Sequence, residues 1–592
     1  MMSKLTFSIF TRNKTFIIFF LIYNLFIFTW NYSYLPITEG WFLLAGKLIS
    51  EGKTPYIDFY AYLTPFYYWF SYFLYQASEN LILFSRIVGH FIFCLIFYFT
   101  YIFFRINFSS VVSTVATFFS LLIYLSSAAI ITYDFTHLIT LFSLISIVLI
   151  INSNIKYSHF LAGVFSTLIF LTKQSNGFVI YTFLAIIYIY KNRSNLKLLI
   201  YPIVGSLITF LLVLFPILSE GGFNEFFNQI TIHAGNSKGG IVSSLTNLFP
   251  PKSDYYSIKN IFNFLFDSFL PLLIVFLAYY RFNNNSSIFV KNFRIYNFFF
   301  IAISVYFLIL IFTSLKFNLD SDFINNINTF FWNKAFLWSG YYVFFLIPIA
   351  RYTNFNNYSL FFLFGLIIAS ATSAGLTAVS IFLHLGFMIG ILFHFRSIFN
   401  ISMLIGLVFL VAVPTHSILK KYETGYYWWG VNAKLGSVVS NEIEKIKYIR
   451  NDGFSEELVK INNIIESCQY QPENLLSFPH TTMINLATDL NPPGKAITYW
   501  FDFLSNEHAD MEYELLNKIS IDSFVMIEME QIAWDVHNRL FRKGKGLKQK
   551  KVKDYLIDLT KSGNFDEVYS QEINSRKVSL FIKKNLNCEA KY

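Results

Sequence analysis

The chain has 592 residues, 55% hydrophobic, 20% aromatic and only 14% charged, with a mean hydropathy of +0.50. Soluble globular chains carry about 25% charged residues, so this balance excludes an ordinary soluble enzyme and points to a polytopic membrane protein. The formal net charge of +10 belongs to the apolar part: residues 1–419 hold 22 Lys/Arg and 11 Asp/Glu, residues 420–592 hold 23 and 24. That placement argues for a membrane and gives no reason to expect nucleic acid, and the shift near residue 420 marks a domain boundary.

In chain order, MMSKLTFSIFTRNKTFIIFFLIYNLFIFTW opens with basic residues and an apolar run that lacks a small-residue cleavage site. It reads as an uncleaved first span. Apolar runs near 15–34, 80–104, 110–131, 138–153, 158–172, 177–190, 198–218, 262–280, 296–315, 339–350, 358–371, 376–395 and 400–418 give about 13 transmembrane helices. With the N-terminus in the cytoplasm, the basic loops Arg105, Lys156, Lys191–Lys197, Arg281–Arg294, Arg351 and Arg396 fall inside. The acids Glu39, Glu51, Asp58, Glu79, Asp134, Glu220 and Glu225 fall outside, as the positive-inside rule requires. An odd number of spans then sends 420–592 outside, which in a bacterium is the periplasm.

The first outer loop, 35–79, follows the first span. Counting its aromatic part 55–79 as a span would invert every later loop, so it reads as a helix along the outer interface. Residues 39–51 read the same way, with Trp41, Leu44, Ala45 and Leu48 on one face and a Lys47/Glu51 pair on another. The tail 420–592 reads as α/β. ENLLSFP, DSFVMIEME and VSLFIKK are its strands, HTTMINLATDL is a helix ended by NPPG, and KIKYIRNDGFSEELVKINNIIESC is a helix–turn–helix pair. RKGKGLKQKKVK (542–553) reads as a solvated loop. Cys468 and Cys588 form a disulfide or stay as two thiols, and an extracytoplasmic tail would favour the bond. No CxxC, phosphate-binding loop, HExxH or GxSxG occurs.

Chemistry-bearing positions concentrate on the outer side. Glu39, behind the N-cap Thr38, either complements a helix dipole or acts as general base at the lipid headgroup level. Asp58 in PYIDFY reads first as a turn-capping residue. Asp134 and His137 in ITYDFTH sit close to the apolar core; they form a pair at i,i+3, or two ligands of a divalent cation that needs more. Lys173 and Gln174 in LTKQSNG end the fifth span and suit a lipid phosphate, with snorkelling as the plainer reading. Arg86 in FSRIVGH has the same two readings, its structural one being a bridge to Glu79 or a contact with a carbonyl. The glycine-rich loop 219–240, with His233 and Lys238, is a connector or a flap over substrate.

Together these segments resemble polytopic glycosyltransferases of the GT-C superfamily, relatives of the protein mannosyltransferases and the lipid A aminoarabinose transferase. The resemblance rests on Glu39-Gly40, on Pro55, Tyr56, Asp58, Phe59 and Thr64-Pro65, on Arg86 in FSRIVG, on LTKQSNG (171–177) and on SFPHTTMINLATDLNPPGKAITYWFD in the tail. Two positions depart from it. Thr38 replaces the first acid of the family's DE pair, and Leu63 stands where the aminoarabinose type has the lysine of HKPP.

The resemblance implies an α-helical polytopic fold of GT-C type with a C-terminal α/β extracytoplasmic domain. It implies an inverting transfer of a sugar from a polyprenyl-phosphate donor to an envelope acceptor: glycolipid, polysaccharide or protein. In that scheme Glu39 is the base and Asp134 the second-loop acid. Arg86 and Lys173 contact phosphate, and Asp58, His137 and Gln174 belong to the substrate side. The expected location is the bacterial inner membrane. The competing reading is a transporter or flippase of lipid-linked saccharides, which would normally place charges at the bilayer midplane in repeated halves; a scaffold without catalysis is a third.

Overall fold

The computed structural model describes residues 39–127, 133–152, 156–237, 356–371, part of 382–390, 442–449 and, with short gaps, 454–588, besides two isolated positions near the N-terminus. Thr38, Lys238, the expected spans near 15–34, 262–280, 296–315, 339–350 and 400–418, most of that at 376–395, and the boundary near 420 lie outside the described residues.

Seven of the expected spans are helices. They are α3 (Leu81–Arg105), α4 (Ser110–Ser127), α5 (Phe135–Ile151), α6 (Lys156–Thr172), α7 (Gln174–Lys191), α8 (Ile200–Ser219) and α9 (Asn357–Ala371). Among the described residues two helical stretches, Leu81–Arg105 and Leu196–Ser219, are long and apolar enough to cross a membrane; the others are shorter. Helix α5 is apolar all round and buried from His137 to Ile150, as a central helix must be.

The segment expected as the first outer loop contains α1 (Gly40–Ser50) and α2 (Phe66–Ala77), joined by the turns of 51–65. Helix α2, at 12 residues, extends roughly 18 Å and is too short to span. Lys47 and Glu51 do pair, at 2.6 Å. The expected one-sided burial of α1 is corrected, however: Lys47 is only 2% exposed, because α2 packs on one side and the tail on the other. Two glycines permit this. A Cβ on Gly46 would lie 2.4 Å from the Ser71 carbonyl oxygen, and one on Gly40 2.7 Å from the Met483 amide nitrogen.

The tail contains α10 (Phe454–Glu466), β1 (Leu475–Phe478), α11 (Thr482–Thr488), α12 (Asn506–Leu516), β2 (Ser523–Ile527), α13 (Gln531–Arg542), α14 (Gln549–Lys561), β3 (Phe565–Ile573) and β4 (Arg576–Lys583). Its sheet has the order β1-β2-β4-β3, with β1 parallel to β2 (Leu475 opposite Ser523) and the other pairs antiparallel. The three expected strands and the helix after the first are present. Three readings are corrected. The helix pair of 445–468 is a 3-10 turn, Glu444–Ile446, followed by one described helix, α10. The basic run is not one loop, since its second half begins α14, where Val552 and Leu556 are buried. Strand β3 was not expected. Cys468 and Cys588 are bonded, tying the end of α10 to the chain after β4.

Candidate active site

The site grows from the N-terminus of α1. Glu39 occupies the N-cap position with helical backbone angles and makes no side-chain cap hydrogen bond. Its carboxylate turns to α3. Arg86 donates from Nε to Oε1 at 2.8 Å and from Nη2 to Oε2 at 2.5 Å, with both side chains essentially buried. The expected bridge from Arg86 to Glu79 is thereby replaced: α1 brings Glu39 to α3, and a two-point guanidinium–carboxylate pair satisfies two buried charges at once.

Tyr133 joins this pair to the second acid. Its hydroxyl donates to Glu39 Oε1 at 3.1 Å, and its carbonyl accepts from the Tyr67 hydroxyl at 3.1 Å. Asp134 is the N-cap of α5; its Oδ1 accepts from the Thr136 amide at 2.8 Å and the Thr136 hydroxyl at 2.6 Å. Oδ2 has no hydrogen bond among the described residues. Burial raises the Asp134 carboxyl above the ordinary carboxylate range, opposed by the Thr136 bonds and the charge of Lys173. Lys173 is buried at the junction of α6 and α7, its ammonium 4.7 Å from the centre of the Phe135 ring.

The remaining expected residues divide. The side chain of His137 does not face Asp134; Nδ1 meets the Tyr124 hydroxyl at 2.5 Å. Among the described residues no three His, Cys, Asp or Glu side chains come together. Asp58 caps its own turn, accepting from the Thr54 amide at 2.7 Å. Gln174 donates to the carbonyls of Tyr62 at 2.7 Å and Ile230 at 3.1 Å, while its Oε1 is buried without a donor among the described residues.

Sequence reasoning missed the contribution of the tail. Trp41 donates from its indole nitrogen to the His480 carbonyl at 2.8 Å, and the backbone of Thr482 and Met483 lies against Gly40, next to Glu39. Thr481 and Thr482 are fully buried, and neither hydroxyl has a hydrogen bond among the described residues. Further along the loop, the Tyr62 hydroxyl accepts from the Ser505 amide at 3.0 Å and meets His508 Nδ1 at 2.5 Å. The ring of His508 stacks between Tyr60 at 4.0 Å and His233 at 3.8 Å, so the segment expected as a glycine-rich loop, which is helical from Phe223 to Ser237, also docks here. A signal was available for Tyr133, the residue directly before Asp134; for His480–Thr482 the sequence offered only the resemblance of SFPHTTMINLATDL, with no role attached.

No family model and no curated protein matches this chain. Solved structures do. ArnT from Cupriavidus metallidurans bound to undecaprenyl phosphate is similar at 12% identity over 95% of this chain and 97% of that one, with a TM-score of 0.44. The Archaeoglobus fulgidus oligosaccharyltransferase in complex with zinc and sulfate is similar at 12% identity over 88% of this chain and 69% of that one, with a TM-score of 0.45. The archaeal oligosaccharyltransferase AglB from the same organism, in complex with an inhibitory peptide and a dolichol-phosphate, is similar at 11% identity over 89% and 71%, with a TM-score of 0.39.

Proposed function

We propose that this chain is a membrane glycosyltransferase of GT-C type. It moves a sugar from a polyprenyl-phosphate donor to an envelope acceptor on the outer side of the bacterial inner membrane. The observation that carries the reading is the chain of side chains Arg86–Glu39–Tyr133, continued by Asp134 and Lys173, at one end of apolar helices. Acids and cations are costly beside a bilayer and are retained there for function. The Cys468–Cys588 bond in the tail supports an oxidising, extracytoplasmic side.

These contacts support a division of roles. Both oxygens of Glu39 are occupied by Arg86; Asp134 Oδ2 accepts no hydrogen bond among the described residues, and burial raises the proton affinity of that carboxyl. Asp134 therefore serves as general base, taking the proton of an acceptor hydroxyl or amine as that atom attacks the anomeric carbon. The bond from that carbon to the phosphate oxygen breaks on the opposite face, inverting the centre. The lipid phosphate leaves with the electron pair, and Lys173 balances its charge. Glu39 holds Arg86 in place behind the reacting groups. Gln174 Oε1 accepts a hydrogen bond from a sugar hydroxyl.

The test is incubation of the purified chain in liposomes with labelled polyprenyl-phosphate sugars and an envelope lipid extract as acceptor. Label leaving the lipid in the wild type and remaining in Asp134→Asn supports the reading. Movement of intact labelled lipid between leaflets without transfer supports a transporter and overturns it, as does full transfer by Asp134→Asn.

A further inference from the structure

No step of the proposed transfer is assigned to the chain that follows α8. Helix α8 belongs to the stretch Leu196–Ser219, long and apolar enough to cross a membrane. Toward its C-terminal end Leu211, Leu212, Phe215 and Leu218 are exposed, an apolar side that suits lipid. The chain then turns tightly. The Gly221 amide donates to the Leu218 carbonyl at 3.1 Å, and the Gly222 amide to that of Ile217 at 2.9 Å. It is helical again over Phe223–Asn228 and Ala234–Ser237, with a π turn, Gln229–His233, between them. Four residues reach at most about 14 Å, so Phe223 lies close to the level at which α8 ends.

This segment has three sides. One is buried and carries Phe226, Gln229 and Ile230, at i, i+3 and i+4. Phe226 packs on Tyr56, their ring centres 5.1 Å apart. Gln229 accepts from the Ala61 amide at 2.9 Å and donates to the Tyr56 carbonyl at 2.7 Å, and the Ile230 carbonyl accepts from Gln174. A second side is polar, with Asn224 and Glu225 exposed and Asn228 half-buried. The third is apolar and bare. Phe223 and Phe227, at i and i+4, are 48% and 52% exposed, with ring centres 6.4 Å apart. At the far end the Ser237 carbonyl accepts from Arg542 of α13, so the segment runs from the end of α8 to the tail.

A helix lying in a bilayer surface presents this division, with an apolar edge at the boundary of headgroups and acyl chains and a polar edge toward water. The two phenylalanines begin four residues past a helix whose own bare side is apolar, so lipid is the occupant that continues from one to the other. We propose that Phe223 and Phe227 insert into the bilayer at the C-terminal end of α8 and hold Phe223–Ser237 along the membrane surface. The anchored segment ties the turns of 51–65 to the bilayer through Gln229, and the tail through Arg542. A segment bonded in this way is an anchor and not a flap over substrate. The proposal requires the membrane character of the chain and no part of the transferase reading, so it stands or falls separately.

The test uses the full chain in phosphatidylcholine nanodiscs and two measurements. In the first, the wild-type protein is surrounded by phosphatidylcholine carrying a diazirine in its acyl chain. Photolysis and peptide mapping should find adducts on Phe223 or Phe227 as well as on α8, the internal control. In the second, nitroxide labels are placed one at a time by Phe223→Cys, Phe227→Cys, Glu225→Cys and Asn228→Cys, each with Cys94→Ser to remove the free thiol. Labels at 223 and 227 should collide more with oxygen, which concentrates in lipid, than with a water-soluble nickel chelate. Labels at 225 and 228 should show the reverse. Adducts on α8 with none on Phe223 or Phe227 overturn the proposal. So do labels at 223 and 227 that meet the chelate as freely as the one at 225, which places the segment in water. Shielding of both from oxygen and chelate alike places protein over them and overturns it too.

Discussion

Arg86 and Glu39, 47 positions apart in the chain, meet in a two-point ion pair that also accepts the hydroxyl of Tyr133. The pair ties the start of α1 to α3. Removing one partner of such a buried pair costs about 3–5 kcal/mol, while replacing both with apolar residues of similar volume is often neutral. Glu39→Gln and Arg86→Met should each lower the unfolding midpoint in detergent, and Glu39→Leu/Arg86→Met should recover most of it. A double variant no more stable than either single one would contradict this account of the pair.

Asp134→Asn should separate catalysis from folding. Asparagine caps a helix about as well as aspartate, so α5 keeps its N-cap and the midpoint should hardly move. Transfer of labelled sugar should fall about 10²–10⁴-fold, the range of a general base. Asp134→Ala should lose the same activity and also about 1 kcal/mol of stability with the cap.

The contact between the tail and the turns that join α1 to α2 should weaken in mild acid. Burial, reinforced by His233 and Lys495, pushes His508 from its ordinary 6.5 down to about 3. Burial also lowers His233, against the pull of Glu507 and Glu225. Between those limits the native imidazole binds fewer protons than the unfolded one, so stability rises with pH there and is level above about pH 6.5. Melting temperature should therefore drop from pH 6.5 to pH 5. In His508→Gln, whose side chain does not titrate, that slope should flatten. An equal slope in both proteins would remove His508 as its source.

The cysteines give a direct count. Of three in the chain, Cys468 and Cys588 are bonded and Cys94 is free. Denatured protein from an oxidising compartment should take up one equivalent of a thiol label, and three after reduction. Cys588→Ser should destabilise the tail by about 2–4 kcal/mol, the usual contribution of a disulfide.

Much of this architecture was legible because it follows from local pattern. Long apolar runs gave the helices α3 to α9, and short ones gave β1, β2 and β4. Strand β3 was hidden because FDEVYSQEI lies at the edge of the sheet, carries three acids and breaks the apolar/polar alternation at Asp566-Glu567 and Val568-Tyr569, where its register shifts. Helix α14 was masked by its lysines, although Val552, Leu556 and Leu559 recur at helical spacing. The site was legible in its residues and not in their partners. Arg86 was matched with Glu79, seven positions away, since sequence offers only neighbours; the fold supplied Glu39. His137 was matched with Asp134 for the same reason, while Tyr124, on another helix, holds its ring.

The contact of Trp41 with His480 spans 439 positions. At a synthesis rate of about 5–20 residues per second, helix α1 waits roughly 20–90 seconds for the segment that covers it. During that interval Gly40, Trp41 and the neighbouring Glu39 lack their partner surface. A chain released early would insert its helices and still lack the wall formed by 480–483. Completion of the last third of the protein is in this sense a checkpoint: the membrane part can be in place long before it is competent.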